Sequence, residues 1–162
     1  MLQKLNNINF RNHIFIDVIE KKEPTIFMQF QYNIEETIYT DVAELSYDRV
    51  NSLVHIKLLE NITINVEKAQ RLIQTIKKIT EGKKHYTLID ATNYIFIDDD
   101  ALKYMASPEA CADKLGSAYY SINLANRLTM HFFKVFHKPS YPVELFKKKE
   151  EAVNWIKQTR IN

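Results

Sequence analysis

Residues 90–102 read Asp-Ala-Thr-Asn-Tyr-Ile-Phe-Ile-Asp-Asp-Asp-Ala-Leu, and the architecture is built around this stretch. The apolar run 86–90 that leads into it is typical of a buried central strand. Asp98, Asp99 and Asp100 then predict the start of a helix that continues through Met105, because carboxylates favour the positive end of a helix. A buried strand, a loop and a helix in this order indicate one unit of an α/β sheet.

The same reasoning extends to both sides of this unit. Apolar and polar residues alternate over 38–43 and again over 54–58, which predicts an antiparallel strand pair. Asn65 is typical of a helix cap and precedes an apolar stripe that ends before Gly82. Further elements are predicted as a short helix from Pro108 to Gly116, a strand at 117–124, a helix capped by Asn126, an edge strand at 143–146 and a helix over 148–158.

The order of elements therefore predicts an α/β fold. We expect a mixed, mostly parallel sheet with an N-terminal antiparallel strand pair and four to five helices. Residues 1–36 are predicted to form an N-terminal extension, in which two β-branched and aromatic runs at 14–19 and 25–30 suggest a hairpin. Residues 37–160 form the main domain.

Composition excludes several classes of function. The 162 residues include only 2 Gly, too few for a phosphate-binding loop, and 1 Cys, too few for a disulfide framework or a multi-cysteine zinc site. With 22 basic and 20 acidic residues there is no general attraction to nucleic acid or to a membrane. The N-terminus lacks the apolar core of a signal peptide, so we expect a cytoplasmic protein.

Residues 90–102 resemble the motif of the STAS domain, the SpoIIAA-like fold of bacterial anti-sigma-factor antagonists, which reads D-L-S-x-V-x-F-I-D-S-S-G-L at this place. Six positions match in identity or type, namely Asp90, Thr92, Phe96, Ile97, Asp98 and Leu102. The stretches 107–110, 126–128 and 138–142 are similar to an uncharacterised bacterial STAS-like subgroup. The resemblance implies a non-catalytic protein-interaction module that needs no cofactor.

One departure from the motif affects the expected regulation. In signalling STAS proteins the second Ser of the motif is phosphorylated, whereas Asp100 occupies that position here and Asp99 replaces the preceding Ser. A carboxylate carries less charge than a phosphoserine and does not take up phosphate as Ser does. The resemblance therefore implies that the switch is locked or absent. A simpler alternative is that Asp99 and Asp100 only satisfy backbone N–H groups at the helix start.

The helix over 127–137 carries the second set of candidate binding residues. We expect Leu128, Phe132, Val135 and Phe136 to form its core stripe, which leaves Met130, Phe133 and His137 on the opposite side. Apolar residues off the core face often mark a partner or dimer contact. The alternative is that the N-terminal hairpin covers them within the chain.

The sequence thus predicts a protein-binding site made of Asp98, Asp99, Asp100, Met130, Phe133 and His137. The partner is an unknown protein or a second copy of the chain. We expect no catalytic residues. We also expect no metal site, because successive acidic residues at a helix start point in different directions and cannot converge on one cation. The second hypothesis is a carrier of a small apolar ligand or lipid, with a pocket lined by aromatic residues, namely Tyr119, Tyr120, Phe132, Phe133 and Phe136.

Overall fold

The computed structural model describes the backbone of residues 34–161 and the side chains from residue 37 onward. Strands and helices alternate along most of this range, which confirms the α/β prediction. The strands are β1 (Ile34–Tyr39), β2 (Ala43–Asp48), β3 (Leu53–Leu58), β4 (Ile62–Ile64), β5 (His85–Asp90), β6 (Ile95–Ile97), β7 (Lys114–Tyr120) and β8 (Val143–Leu145). The helices are α1 (Val66–Ile79), α2 (Asp99–Met105), α3 (Pro108–Cys111), α4 (Leu124–Phe132) and α5 (Lys149–Ile161), and a π-helical segment, Phe133–His137, continues α4.

The main sheet is mixed, as predicted. Its six strands lie in the order β1-β2-β3-β5-β7-β8, in which β1, β2 and β3 pair antiparallel and the remaining neighbours pair parallel. One row of residues crosses the whole sheet at matching positions and faces the core, namely Ile38, Leu45, Ile56, Ile89, Tyr119 and Leu145. Strands β4 and β6 form a separate parallel pair, which the sequence reasoning did not predict.

Helix α1 forms as predicted, with Asn65 as its cap. The Asn65 side chain accepts a hydrogen bond from the Lys68 backbone N–H at 3.0 Å, which satisfies one of the free donors at the helix start. Ala69, Leu72 and Ile76 are buried along one stripe of the helix, where they join the core. Burial of this stripe stabilises the helix more than propensity does.

Three predicted elements differ in the structure. The predicted strand over 38–43 is two strands, because the Thr40 hydroxyl accepts hydrogen bonds from the Val42 and Ala43 backbone N–H groups and closes a tight turn. The antiparallel part of the sheet therefore has three strands. Helix α3 ends at Cys111, and Gly116 lies inside β7 instead of ending a helix. A Cβ atom at Gly116 would lie 3.2 Å from the rings of Trp155 and Tyr86, which explains why glycine fits there.

The described elements all lie within one compact unit, Gln31–Asn162. The hairpin predicted at 14–30 and most of the predicted extension 1–36 lie outside the described residues. Strand β1 begins at Ile34, so the last residues assigned to that extension belong to the sheet. Among residues 34–161, no helix combines the length and the apolar character that a membrane span requires.

Candidate functional site

The start of α2 presents two exposed carboxylates. Asp98 is the N-cap residue, but its side chain makes no capping hydrogen bond, and Asp99 and Asp100 occupy the first turn. The Lys103 ammonium lies 2.9 Å from Asp99 Oδ2 and 3.2 Å from Asp100 Oδ1. The side chains of Asp99 and Asp100 are 57% and 80% exposed, respectively. The acidic residues thus stabilise the helix start by charge and contact Lys103.

This ion pair affects the titration of both partners. The hydrogen bond from the Lys103 ammonium is the largest influence that lowers the pKa of Asp99. In return, hydrogen bonds to the two carboxylates raise the pKa of Lys103. Both groups therefore carry their charges near neutral pH, and the helix start has an anionic and a cationic group side by side.

His137 connects the π-helical segment to this acidic start. Its Nε2 atom lies 3.2 Å from Asp99 Oδ1, and its side chain is only 10% exposed. The His137 ring also contacts the edge of Phe132, with ring centroids 5.6 Å apart. Of the predicted binding residues, Asp99 and His137 are therefore brought together, and they connect the end of the π-helical segment to α2.

The predicted faces of α4 are reversed in the structure. Met130 and Phe133 are 2% and 0% exposed and belong to the core, so the prediction that they form a second, exposed face was wrong. The residues predicted as the core stripe are exposed instead, at 63% for Leu128 and 67% for Phe136. We call this exposed surface the outer face of α4, and it consists of Leu124, Leu128, Phe132, Val135 and Phe136.

Two features define the outer face. Phe132 and Phe136 stack on each other with ring centroids 4.4 Å apart. The π-helical segment that holds Phe136 ends at Lys138, which adopts a left-handed conformation with φ of 48° and donates its backbone N–H to the Phe133 carbonyl. A π-helical turn holds one residue more than an α-helical turn, so it shifts which residues face the core. Both stacked rings are exposed at the surface.

Asn126, on the inner face of α4, holds the loop between β5 and β6. Its amide group donates to the Ala91 and Asn93 carbonyls at 3.1 and 2.7 Å, and its carbonyl accepts from the Ile95 backbone N–H at 3.3 Å. Asn123, which caps α4, also donates to the Thr92 carbonyl at 3.3 Å. The prediction that Asn126 caps the helix was wrong by one turn. Sequence reasoning therefore missed that these two side chains position the loop between β5 and β6.

Side chains of the loop between β5 and β6 also form hydrogen bonds that order it. The Asp90 carboxylate accepts hydrogen bonds from the Thr92 backbone N–H at 3.0 Å and from the Thr92 hydroxyl at 2.6 Å. Asn93 donates to the Leu58 carbonyl at 2.9 Å, which anchors the loop to β3. These contacts give a physical reason for the polar residues Asp90, Thr92 and Asn93 in this loop.

The residues proposed for a ligand pocket do not come together. Phe132 and Phe136 lie on the surface, whereas Phe133 and Tyr119 are packed in the core. Tyr120 faces the opposite side of the sheet from Tyr119, since successive strand residues alternate. Behind α4 the structure has a cavity of about 10 Å³, lined in part by Ala91, Ile95 and Met130. This space is sufficient for about one water molecule and not for a lipid.

A second group of reactive side chains lies at the opposite end of β7. The Cys111 thiol is buried, as predicted, and donates to the Met105 carbonyl at 3.5 Å. Burial lowers the pKa of Lys114 to about 8, and its ammonium lies 3.3 Å from the Tyr141 hydroxyl. Among residues 34–161, no three His, Cys, Asp or Glu side chains are placed to hold a metal ion. We assign no chemistry to this group.

Comparison with known proteins gives one match. The model of a family described as a domain of unknown function (DUF7793) matches residues 47–160, which is more than half of the chain. The matched range includes the loop after β5, α2 and α4. No curated protein and no solved structure matches the chain.

Proposed function

We propose that this chain, which belongs to the DUF7793 family of domains of unknown function, is a non-catalytic STAS-like protein–protein interaction module of the cytoplasm. The observation that carries the proposal is the outer face of α4. It displays five large apolar side chains next to the acidic start of α2. Contiguous apolar surface bordered by charged groups is typical of a binding site for another protein.

The docking surface has an apolar part and a charged part. His137, which follows Phe136, lies 3.2 Å from Asp99, so the end of the π-helical segment lies beside the start of α2, where the Asp99 and Asp100 carboxylates are exposed. Apolar side chains supply most of the binding free energy at such surfaces, while charges at the rim fix orientation. Two of the six residues expected from the sequence, Asp99 and His137, connect these parts.

The STAS-like interpretation of the loop supports a module that does not switch by phosphorylation. Asp100 occupies the phosphoacceptor position and its carboxylate already contacts Lys103 at 3.2 Å. A single negative charge at this place is permanent, and the neighbouring ammonium partly offsets it. We therefore propose that the partner binds constitutively.

Site-specific photo-crosslinking in cells tests this function. A benzophenone amino acid is placed at Leu128 or Phe136 on the outer face, and at Val50 as a control, since Val50 is 69% exposed in the turn between β2 and β3. We expect both outer-face positions to give the same discrete protein adduct, which is absent with the Val50 probe. If neither outer-face position gives an adduct beyond the control, the surface does not bind a protein and the proposal is refuted.

A charge reversal tests the acidic part of the surface. Changing Asp99 and Asp100 together to Lys places positive charges beside Lys103 and should weaken the adduct formed from position 136. The control is Glu60→Lys, which reverses an exposed acidic residue between β3 and β4. An adduct unchanged by the double reversal would show that the α2 start lies outside the binding site.

A further inference from the structure

We propose that the outer face of α4 is a self-complementary interface, on which α4 of a second copy of the chain packs antiparallel. The inference rests on the proposed function and names the partner as the same protein. It follows from three properties of the described residues, namely the area of the face, the spacing of its side chains and the distribution of its charges.

The exposed apolar area is close to that of a small dimer interface. The five side chains of the outer face are between 42% and 73% exposed. Since large apolar side chains present about 150–250 Å² each, the face exposes on the order of 500 Å². Two copies would bury about 1,000 Å² in total, which is the lower limit for a specific interface. An interface of this size is typical of weak, reversible association, so we expect a dimer that dissociates on dilution.

The spacing of the side chains suits an antiparallel pair. Leu124, Leu128, Phe132 and Phe136 recur every four residues and form one ridge along the helix. A two-fold axis near the centre of this ridge places Leu124 against Phe136 of the partner subunit. The same operation places Leu128 against Phe132 of the partner subunit. Each aliphatic side chain thus meets an aromatic ring, and each of these contacts occurs twice, as in any closed two-fold interface.

The charges around the face also favour this arrangement. Every charged residue in 121–143 is basic, and Asp99 lies beside His137 at the end of the π-helical segment, with the exposed Asp100 next to it in sequence. Within residues 34–161, Arg127 makes no ion pair. An antiparallel copy brings Arg127 toward Asp100 of the partner subunit. The two helix dipoles also attract, because the positive end of each helix lies beside the negative end of the other.

A membrane surface is the less suitable occupant of the outer face. Binding to anionic lipid typically needs clusters of four to eight basic residues. The Lys134 ammonium is held by Glu144 at 3.1 Å, so few cations near the face are available for lipid headgroups. A second copy of the chain satisfies both the apolar side chains and Arg127.

Sedimentation of the purified full-length chain tests the inference. We expect a concentration-dependent monomer–dimer equilibrium that Phe136→Asp or Leu128→Asp weakens by about 30-fold or more, the size of a hot-spot effect. Val50→Asp is the matched control, because it also places a carboxylate at an exposed apolar position, and it should leave the dissociation constant unchanged. All three variants change exposed residues, and circular dichroism checks that they remain folded.

A charge swap tests the antiparallel geometry. Arg127→Glu and Asp100→Lys should each weaken their own dimers, because each homodimer then places like charges together. Mixing the two variants should restore dimerisation, since both contacts of the heterodimer then join opposite charges: the introduced carboxylate faces the introduced ammonium at one, and the native Asp100 faces the native Arg127 at the other. Failure of the mixture to associate more tightly than either variant alone would refute the antiparallel arrangement.

The outcomes separate this inference from the proposed function. A protein that is monomeric at all accessible concentrations, yet gives an adduct with another protein in cells, overturns the self-association and leaves the interaction module in place. Binding to phosphatidylserine vesicles that is lost in Phe136→Asp, with no dimer in solution, also overturns it and assigns the face to a membrane. A cellular adduct of twice the monomer mass supports both proposals.

Discussion

Replacing Asn126 by alanine removes three hydrogen bonds at once and leaves the backbone of the loop after β5 without its main support. Asn126 is 2% exposed, and its partners Ala91 and Ile95 are also buried. Of the three bonded backbone groups, the Asn93 carbonyl has a further donor, the Asn123 amide at 3.5 Å. The Ala91 carbonyl and the Ile95 N–H each lose the hydrogen bond that Asn126 supplied, and each then carries a desolvation cost.

The expected loss of stability follows from these two groups. A buried polar group that loses its partner costs about 1–3 kcal/mol, so Asn126→Ala should lower the free energy of unfolding by about 3 kcal/mol. For a domain of this size that corresponds to a fall in Tm of about 6–12 °C. The comparison variant is Asn123→Ala, which removes the α4 cap and the longer, more exposed hydrogen bonds to the Thr92 and Asn93 carbonyls, and it should cost about 1 kcal/mol.

Urea denaturation followed by circular dichroism measures both variants. A third variant, Asn126→Asp, tests the direction of the hydrogen bonds. Its carboxylate can still accept from the Ile95 N–H, but it faces the Ala91 and Asn93 carbonyl oxygens. These oxygens and burial would raise the folded-state pKa of the introduced carboxyl group above its unfolded value, so the variant should gain stability as the pH falls through that raised pKa. If Asn126→Ala costs no more than Asn123→Ala, and Asn126→Asp shows no such gain, the loop is not held as described.

Three further predictions concern the core and the sheet. Phe133→Ala should cost about 3–5 kcal/mol in urea denaturation because the ring is fully buried, whereas Leu128→Ala should stay within about 0.5 kcal/mol. Burial lowers the pKa of His55 to about 4 in the folded state. Below pH 6.5 the unfolded state therefore binds more protons than the folded state, and the free energy of unfolding should fall by about 2 kcal/mol from pH 7 to pH 5. His55→Gln should reduce this dependence of stability on pH. Gly116→Val should lower the free energy of unfolding by about 1–3 kcal/mol and change the fluorescence of Trp155, because even an added Cβ atom would lie 3.2 Å from that ring. Unchanged fluorescence would contradict the packing of α5 on β7.

Sequence predicts best those helices and strands in which the spacing of apolar residues and the capping residues all indicate the same element. Helix α1 has a single apolar stripe, a capping Asn65 and a left-handed Gly82 with φ of 67° after its end, so each signal agrees with the others. The buried strand β5 and the start of α2 are predicted for the same reason. The turn at residues 40–42 was missed because its alternation of apolar and polar residues continues across the break.

Helix α4 shows where a local pattern is insufficient. Apolar residues occur on both sides of this helix, and a period of 3.6 fits the stripe of Leu128 and Phe132 as well as it fits Met130 and Phe133. Contacts with β6 and the loop, which are distant in sequence, decide which side is buried. The π-helical segment that follows Phe132 also departs from the α-helical geometry that the pattern alone predicts. Met130 and Phe133 were therefore expected on an exposed face of the helix and lie on its buried face.

The same helix both supports the loop and presents the docking surface, and this has a consequence for binding. Asn126 fixes the first half of α4 to the loop by hydrogen bonds, and the largely buried His137 packs beside Asp99 of α2 at the other end. A surface anchored at both ends loses little conformational entropy when a partner binds, which favours affinity. Releasing one anchor by Asn126→Ala should therefore weaken association even though the outer face is unchanged. Sedimentation at a temperature well below the Tm of the variant measures this effect. An unaltered dissociation constant would mean that the outer face is held by its core contacts alone.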